Sequence, residues 1–315
     1  MMSIRASSTV FSDSVTILRH SRTIGRMVKS PILKASELSA LFPLLVWEGK
    51  EFTLKYHFPL APIFKSSSIP HQIVLKCGRQ VGKTTSLAAQ IVLRSIAIDR
   101  FKNLVICPEF NQIRRFSILY VERLIKDSPM SLMMESCSDN VFYKTFPNGS
   151  QIHFSYGILG IDRVRGISSD CNTYDEAQDI DYSFLPVLRA CLSASTWRLE
   201  QFCGTPKTMD NTLQRLWEDS SQAEWVVPCR CGYWNTPSLQ LDLLKMIGKR
   251  GLICAKCGKP INAKKGHWQH MYPDRRHTSV GTTFRRSLCP RSPIRGHGIV
   301  SSRPKKGTNV PKRSS

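Results

Sequence analysis

Acidic residues are scarce in this chain. Asp and Glu number 23 against 45 Lys and Arg in 315 residues, a formal net charge of +22. Beyond Cys257 a single carboxylate remains, Asp274. That scarcity excludes a multi-carboxylate, two-metal nuclease centre from the C-terminal part. No run approaches the roughly 20 apolar residues that a membrane-spanning helix needs, so no membrane partner is predicted. The N-terminus lacks the apolar core of a signal peptide. The eleven cysteines are odd in number and scattered through apolar runs, which argues against a secreted disulfide framework. No internal repeat is visible, which excludes a solenoid.

What is present suffices for a packed α/β domain with a small appendage. The basic excess points to a polyanionic partner, nucleic acid first; the alternative is a solvated basic face with a loose tail. Residues 1–35 show no period and read as a loose arm. Residues 36–48 suggest a helix start with Ser36 as cap, interrupted by Pro43. From 72 onward the pattern becomes regular. QIVLKCG (72–78) reads as a buried strand, 83–97 as a helix, 103–108 as a second strand and 111–127 as a second helix. Two alternating runs within 141–156 flank Asn148-Gly149, a hairpin signal. A strand at 171–174, a helix at 182–194 and a strand at 198–203 follow. Strands alternating with helices predict a mainly parallel sheet covered on both faces. Residues 278–315 hold nine Lys or Arg, no Asp or Glu and few apolar residues, and are predicted to be a disordered basic tail.

GRQVGKTT (78–85) lies between a predicted strand and a predicted helix. A phosphate-binding loop belongs there, because backbone N–H groups and the helix dipole then point at the phosphates. Gly78, Arg79, Gln80, Val81, Gly82, Lys83, Thr84 and Thr85 are the predicted nucleotide-binding residues. Lys83 would reach the β/γ-phosphates, and Thr84 would place its hydroxyl on Mg²⁺. The usual pattern has its first glycine one place earlier, where this chain has Cys77. About ninety residues on stands Tyr174-Asp175-Glu176-Ala177-Gln178. Asp175 suits a Mg²⁺ ligand at a strand end, and Glu176 suits a base for the attacking water. Read alone, the pair is first a surface acidic start to a helix; its distance from the loop is what turns it into a site candidate. The strand before it, Cys171-Asn172-Thr173-Tyr174, is polar for a central one. Gly204-Thr205-Pro206 follows a strand. Alone it reads as a turn, though Thr205 there could sense the γ-phosphate.

Cys229-Arg-Cys231-Gly and Cys254-Ala-Lys-Cys257-Gly form two knuckles separated by 22 residues. Four thiolates bind Zn²⁺ tetrahedrally, and a glycine after each second cysteine suits the tight turn. A structural Zn²⁺ on Cys229, Cys231, Cys254 and Cys257 is predicted, within a zinc-ribbon-like insert over 223–277. Trp234 and Trp268 beside the knuckles read as packing residues.

GRQVGKTT, YDEAQ and FCGTP, in this order and spacing, resemble the ATPase of phage terminase large subunits; the likeness covers roughly residues 36–275. It implies a RecA-like P-loop ATPase over 36–222 that hydrolyses ATP with Mg²⁺ and drives double-stranded DNA into a prohead in the host-cell cytoplasm. It further implies a homo-oligomer when active, with a portal protein and a small terminase subunit as partners. By the same resemblance Arg79 acts in cis on the transferring phosphate, Thr205 couples hydrolysis to movement, and Tyr56 or Phe58 lines the adenine pocket. Arg163 and Arg165 would face nucleotide or DNA. The family continues into a nuclease, which the acid-poor end of this chain does not supply; the expectation is a truncated or frameshifted chain without that half. Two other readings are a helicase-like DNA-dependent ATPase, and an inactive zinc-containing DNA-binding remnant.

Overall fold

The computed structural model describes residues 35–64, 70–133, 140–157, 161–237, 245–248 and 251–284. The predicted arm, Ala35 apart, and everything past Phe284 lie outside them.

Ten strands form one sheet. In chain order they are β1 (Gln72–Cys77), β2 (Lys102–Cys107), β3 (Tyr143–Thr145), β4 (Gln151–Tyr156), β5 (Cys171–Tyr174), β6 (Leu199–Gly204), β7 (Ala223–Pro228), β8 (Trp234–Asn235), β9 (His267–His270) and β10 (Ser279–Phe284). Their spatial order is β8-β7-β10-β1-β6-β5-β2-β4-β3, with β9 also paired to β7. Every pair from β7 through β10, β1, β6, β5 and β2 to β4 is parallel; β3, β8 and β9 are antiparallel additions. The hairpin predicted at Asn148-Gly149 joins β3 to β4, with Gly149 at φ 80°.

Strand residues alternate between the two faces, and both faces are apolar. On β1, Ile73, Leu75 and Cys77 face one core while Val74 faces the other; on β2, Val105 and Cys107 oppose Leu104 and Ile106. The first core is closed by helix α1 (Lys83–Ala97), through Leu87, Ile91 and Val92, and by a helical stretch from Phe110 to Lys126 whose middle, Phe116–Glu122, is π-helical. The second is closed by α2 (Leu185–Ala190) and α3 (Thr212–Glu218), through Leu185, Leu188, Leu213 and Leu216. Each such buried leucine contributes about 2 kcal/mol of apolar transfer free energy. The helix expected at 36–48 is a 3-10 helix, Ala35–Leu44, containing Pro43. The one expected at 182–194 begins as a 3-10 turn, Tyr182–Phe184, and becomes the shorter α2. Among the described residues no helix is long and apolar enough to cross a membrane.

The polar character of β5 has a structural explanation. All four of its residues are buried. Asn172 donates to the Leu188 carbonyl at 2.8 Å and accepts from the Ser169 hydroxyl at 2.6 Å, so its amide spends its polarity inside the core. Tyr174 stacks on Phe202 of β6 with ring centroids 4.3 Å apart.

One predicted boundary needs correction. Residues 279–284, assigned to a disordered tail from 278, form β10, which pairs with β1 from Ser279↔Gln72 to Phe284↔Cys77. Composition misled because little room exists there. A Cβ at Gly281 would collide with Ser220 Oγ and stand 3.0 Å from the Trp217 ring, so this strand uses small residues where long apolar ones were sought. Likewise β7 continues the sheet, so the cysteine-bearing segment begins only after Pro228; it touches the sheet again through β8 and rejoins it at His267.

Candidate active site and metal centre

In a parallel sheet, ligands gather at the carboxyl ends of the strands. The adjacent strands β1, β6 and β5 each end there in a predicted motif: the loop 78–82, Gly204-Thr205 and Asp175-Glu176. Neighbouring strands lie roughly 5 Å apart, so the three ends fall within roughly 10 Å.

The loop closes on α1 through Gly82, which caps the helix at φ 78°, ψ 16°; Gln80 is also left-handed, at φ 59°. A Cβ at Gly82 would stand 3.0 Å from the His57 ring, so glycine serves both the backbone twist and a close approach. Val81 is fully buried and anchors the loop, while Arg79 and Gln80 are exposed at its tip and Gly78, Thr84 and Thr85 are half-buried. Lys83 is buried; its Nζ donates to Thr205 Oγ1 at 2.7 Å and lies 3.7 Å from Glu176 Oε1. Thr84 Oγ1 donates to Asp175 Oδ2 at 3.2 Å.

Asp175 is buried, and its Oδ1 has no hydrogen-bond partner. Burial, then the neighbouring Glu176 carboxylate, pushes its pKa up to about 6, against the pull of Lys83 and Thr84. A desolvated carboxylate with an unspent oxygen beside a threonine hydroxyl is the donor set a hard cation takes, so the residues fit Mg²⁺. Glu176 adopts a left-handed backbone, φ 52° and ψ 44°, unusual for a non-glycine residue. Thr205, which by itself read as part of a turn, meets Lys83 directly. Phe58 packs on Trp225, with ring centroids 5.6 Å apart. His57, which sequence reasoning passed over, is the aromatic residue against the loop; no local pattern marks it. Arg163 is exposed and lies over the Tyr156 ring at 4.3 Å. It lines a groove of about 590 Å³ with Phe142, Tyr143 and His153, beside β3 and β4, four strands along the sheet from β1 and its loop. Arg165 is exposed nearby in sequence.

The four predicted cysteines come together, all their sulfur atoms within 4.8 Å of one another. Cys229 and Cys257 sulfurs are 3.7 Å apart, as are those of Cys231 and Cys254. Tetrahedral zinc with Zn–S bonds of ~2.3 Å requires sulfur–sulfur distances of ~3.8 Å, so this donor set fits. Gly232 and Gly258, each following a second cysteine, sit at φ 81° and 69° and donate to the Cys229 and Cys254 carbonyls. Asn235 ties the knuckles together: its Oδ1 accepts from Ala255 N–H at 2.8 Å and its Nδ2 donates to the Val227 carbonyl. Trp268 is a packing residue, edge-on to Trp225 and donating to the Pro59 carbonyl. Trp234 departs from the expectation. It is 54% exposed and touches the His267 ring, on the two-residue edge strand β8. Five of the remaining cysteines, Cys77, Cys107, Cys171, Cys191 and Cys203, are buried in the sheet and its flanks, as expected of small apolar residues.

Sheet order, flanking helices and the loop after β1 define a RecA-like P-loop ATPase fold. Residues 60–272 match the family model of the phage terminase large subunit gpA, ATPase domain, so the chain belongs to that family. Among solved structures, the HK97 bacteriophage large terminase aligns with a TM-score of 0.50 at 15% identity, over 60% of this chain and 41% of that one. An ATPase-domain mutant of the Thermus phage P74-26 large terminase aligns at 0.44 and 18% identity, over 72% and 80%. A large terminase from a thermophilic bacteriophage in complex with ADP aligns at 0.41 and 16% identity, over 51% and 40%. The chain thus spans about two-fifths of the full-length large terminases named here. No curated protein sequence matches it.

Proposed function

We propose that this chain is the ATP-hydrolysing motor of a phage terminase large subunit, acting on double-stranded DNA. The observation that carries the reading is the convergence of Lys83, Thr84, Asp175, Glu176 and Thr205 at the ends of three adjacent strands, with Lys83 Nζ 2.7 Å from Thr205 and Thr84 3.2 Å from Asp175. Lys83 and the loop amides would bind the β/γ-phosphates, and Thr84 and Asp175 would hold Mg²⁺. Bound there, Mg²⁺ would neutralise phosphate charge in the transition state. Glu176 would orient the attacking water and accept its proton. Arg79, free at the loop tip, would reach the transferring phosphate, where a guanidinium stabilises developing charge. Thr205 would read the γ-phosphate through its bond to Lys83. Membership of the terminase ATPase-domain family supports a nucleotide as ligand. Family membership makes prohead packaging, portal and small-subunit partners and a homo-oligomeric ring part of the same proposal. Cys229, Cys231, Cys254 and Cys257 would hold a structural Zn²⁺ that stabilises the module between β7 and β9; a closed four-sulfur site leaves no position for substrate.

The test is phosphate release by the purified chain with Mg²⁺-ATP, with and without double-stranded DNA, beside a Lys83→Ala control. DNA-stimulated turnover that the substitution removes is expected. ATP binding with no Lys83-dependent turnover would refute the motor and favour an inactive nucleotide-binding remnant.

A further inference from the structure

Gln178 closes the YDEAQ run, and none of the roles above uses it. Its side chain is buried, 7% exposed, and every polar atom of its amide is engaged. Nε2 donates to Glu176 Oε2 at 2.7 Å and to Asp179 Oδ2 at 3.0 Å, while Oε1 accepts from the backbone N–H of Thr205 at 3.1 Å. The amide's orientation follows from chemistry: reversed, its oxygen would face two carboxylates and its NH₂ a backbone donor. Both flanks are fixed. Lys207 donates to both oxygens of Asp179 at 2.7 Å, and a Cβ on Gly204 would collide with Gln178 Oε1. The two groups the amide joins, Glu176 and Thr205, are also the two that meet Lys83 Nζ. Lys83, Glu176, Gln178 and Thr205 therefore form a closed ring of contacts across the ends of β5 and β6.

We propose that Gln178 is a positioning residue: it holds the Glu176 carboxylate and the Gly204-Thr205 corner in one register, so that carboxylate and strand end answer the nucleotide as a unit. The inference rests on the ATPase reading of this site. Removing the amide frees Glu176 to leave the position from which it orients water and uncouples it from Thr205. Binding, which the loop and Lys83 supply, is left largely intact.

The experiment measures Mg²⁺-ATP turnover by the full chain between pH 6 and 8.5, for the unmodified protein, Lys83→Ala, Gln178→Met and Gln178→Glu, with thermal melts of each. Gln178→Met keeps the volume and removes the polar atoms; kcat is expected to fall about tenfold or more with KM for ATP within about threefold. Gln178→Glu keeps the acceptor for Thr205 and sets a carboxylate against Glu176. Its rate relative to the unmodified chain is expected to recover at least about threefold from pH 8 to pH 6, as the introduced carboxyl, crowded by two others, takes up a proton and regains a donor. A purely structural residue would give no such recovery. Rates within twofold of the unmodified chain for both variants, with Lys83→Ala dead, would overturn this inference and leave the ATPase reading standing. Loss of the folded state in both variants would make Gln178 merely structural and also overturn it. An unmodified chain without Lys83-dependent turnover would overturn both.

Discussion

Replacing Asp175 with Asn is expected to give a protein that melts higher and does no work. The carboxylate is buried, one oxygen has no partner, and Glu176 adjoins it; burial first and that neighbour second raise its pKa from 3.8 to about 6. A raised carboxyl pKa means that the folded state holds the proton more tightly than the unfolded chain does. The ionised group therefore costs stability in full above about pH 6, and that cost fades as the pH falls from about 6 through 3.8, below which both states are protonated. A difference of about two units at ~1.4 kcal/mol each gives about 3 kcal/mol at pH 8. For a domain of this size that raises the melting temperature of Asp175→Asn by roughly 5–10 °C, a ceiling because the new amide must place its own NH₂. Melts followed by circular dichroism, in chelator and without nucleotide, test this at pH 8 and pH 4.5. The Asn variant should lead at pH 8, and the gap should shrink to about a third of that at pH 4.5. Mg²⁺-ATP should then raise the unmodified chain more than the variant, since ligand binds the folded state only. An Asn variant that melts at or below the unmodified chain at pH 8 in chelator would refute the account of this carboxylate.

Two further outcomes follow from the geometry. Purified protein should carry about one equivalent of zinc, and Cys254→Ser should bring it below about half while lowering the melting temperature; full zinc occupancy in that variant would count against a four-thiolate site. Gly204→Ala drives a methyl into Gln178 Oε1 and to within 2.9 Å of Leu213 Cδ2, and should destabilise the fold by about 1–3 kcal/mol in denaturant melts; an unchanged midpoint would mean that the corner yields freely.

Much of the candidate site was legible because its pattern is local. A glycine turn between an apolar run and a helical period fixes Gly78–Thr85 without knowledge of the rest, and α1 begins at Lys83 as read. Asp175 and Thr205 needed a partner in space. Each is an ordinary turn residue until the sheet order β1-β6-β5 sets their strands beside the loop. The role of Gln178 lay hidden for the same reason, since its bond to Thr205 spans 27 positions. His57 meets the loop from a segment with no period of its own. β10 escaped notice because Gly281 and its Ser and Thr neighbours answer to the crowding of Ser220 and Trp217 rather than to a hydrophobic rule. The cysteine knuckles succeeded on the opposite ground: ligand spacing and the following glycines encode the turns themselves.

The late arrival of β10 has a consequence for biogenesis. During vectorial synthesis, β1 emerges some two hundred residues before β10, and until then one rim of that strand has open backbone donors and acceptors. Nascent chains halted near residue 277 would thus carry the cysteine module and the entire glycine loop after β1, and yet stay sticky and unfinished. The half-dozen residues of β10 act as the zip fastener of the parallel sheet.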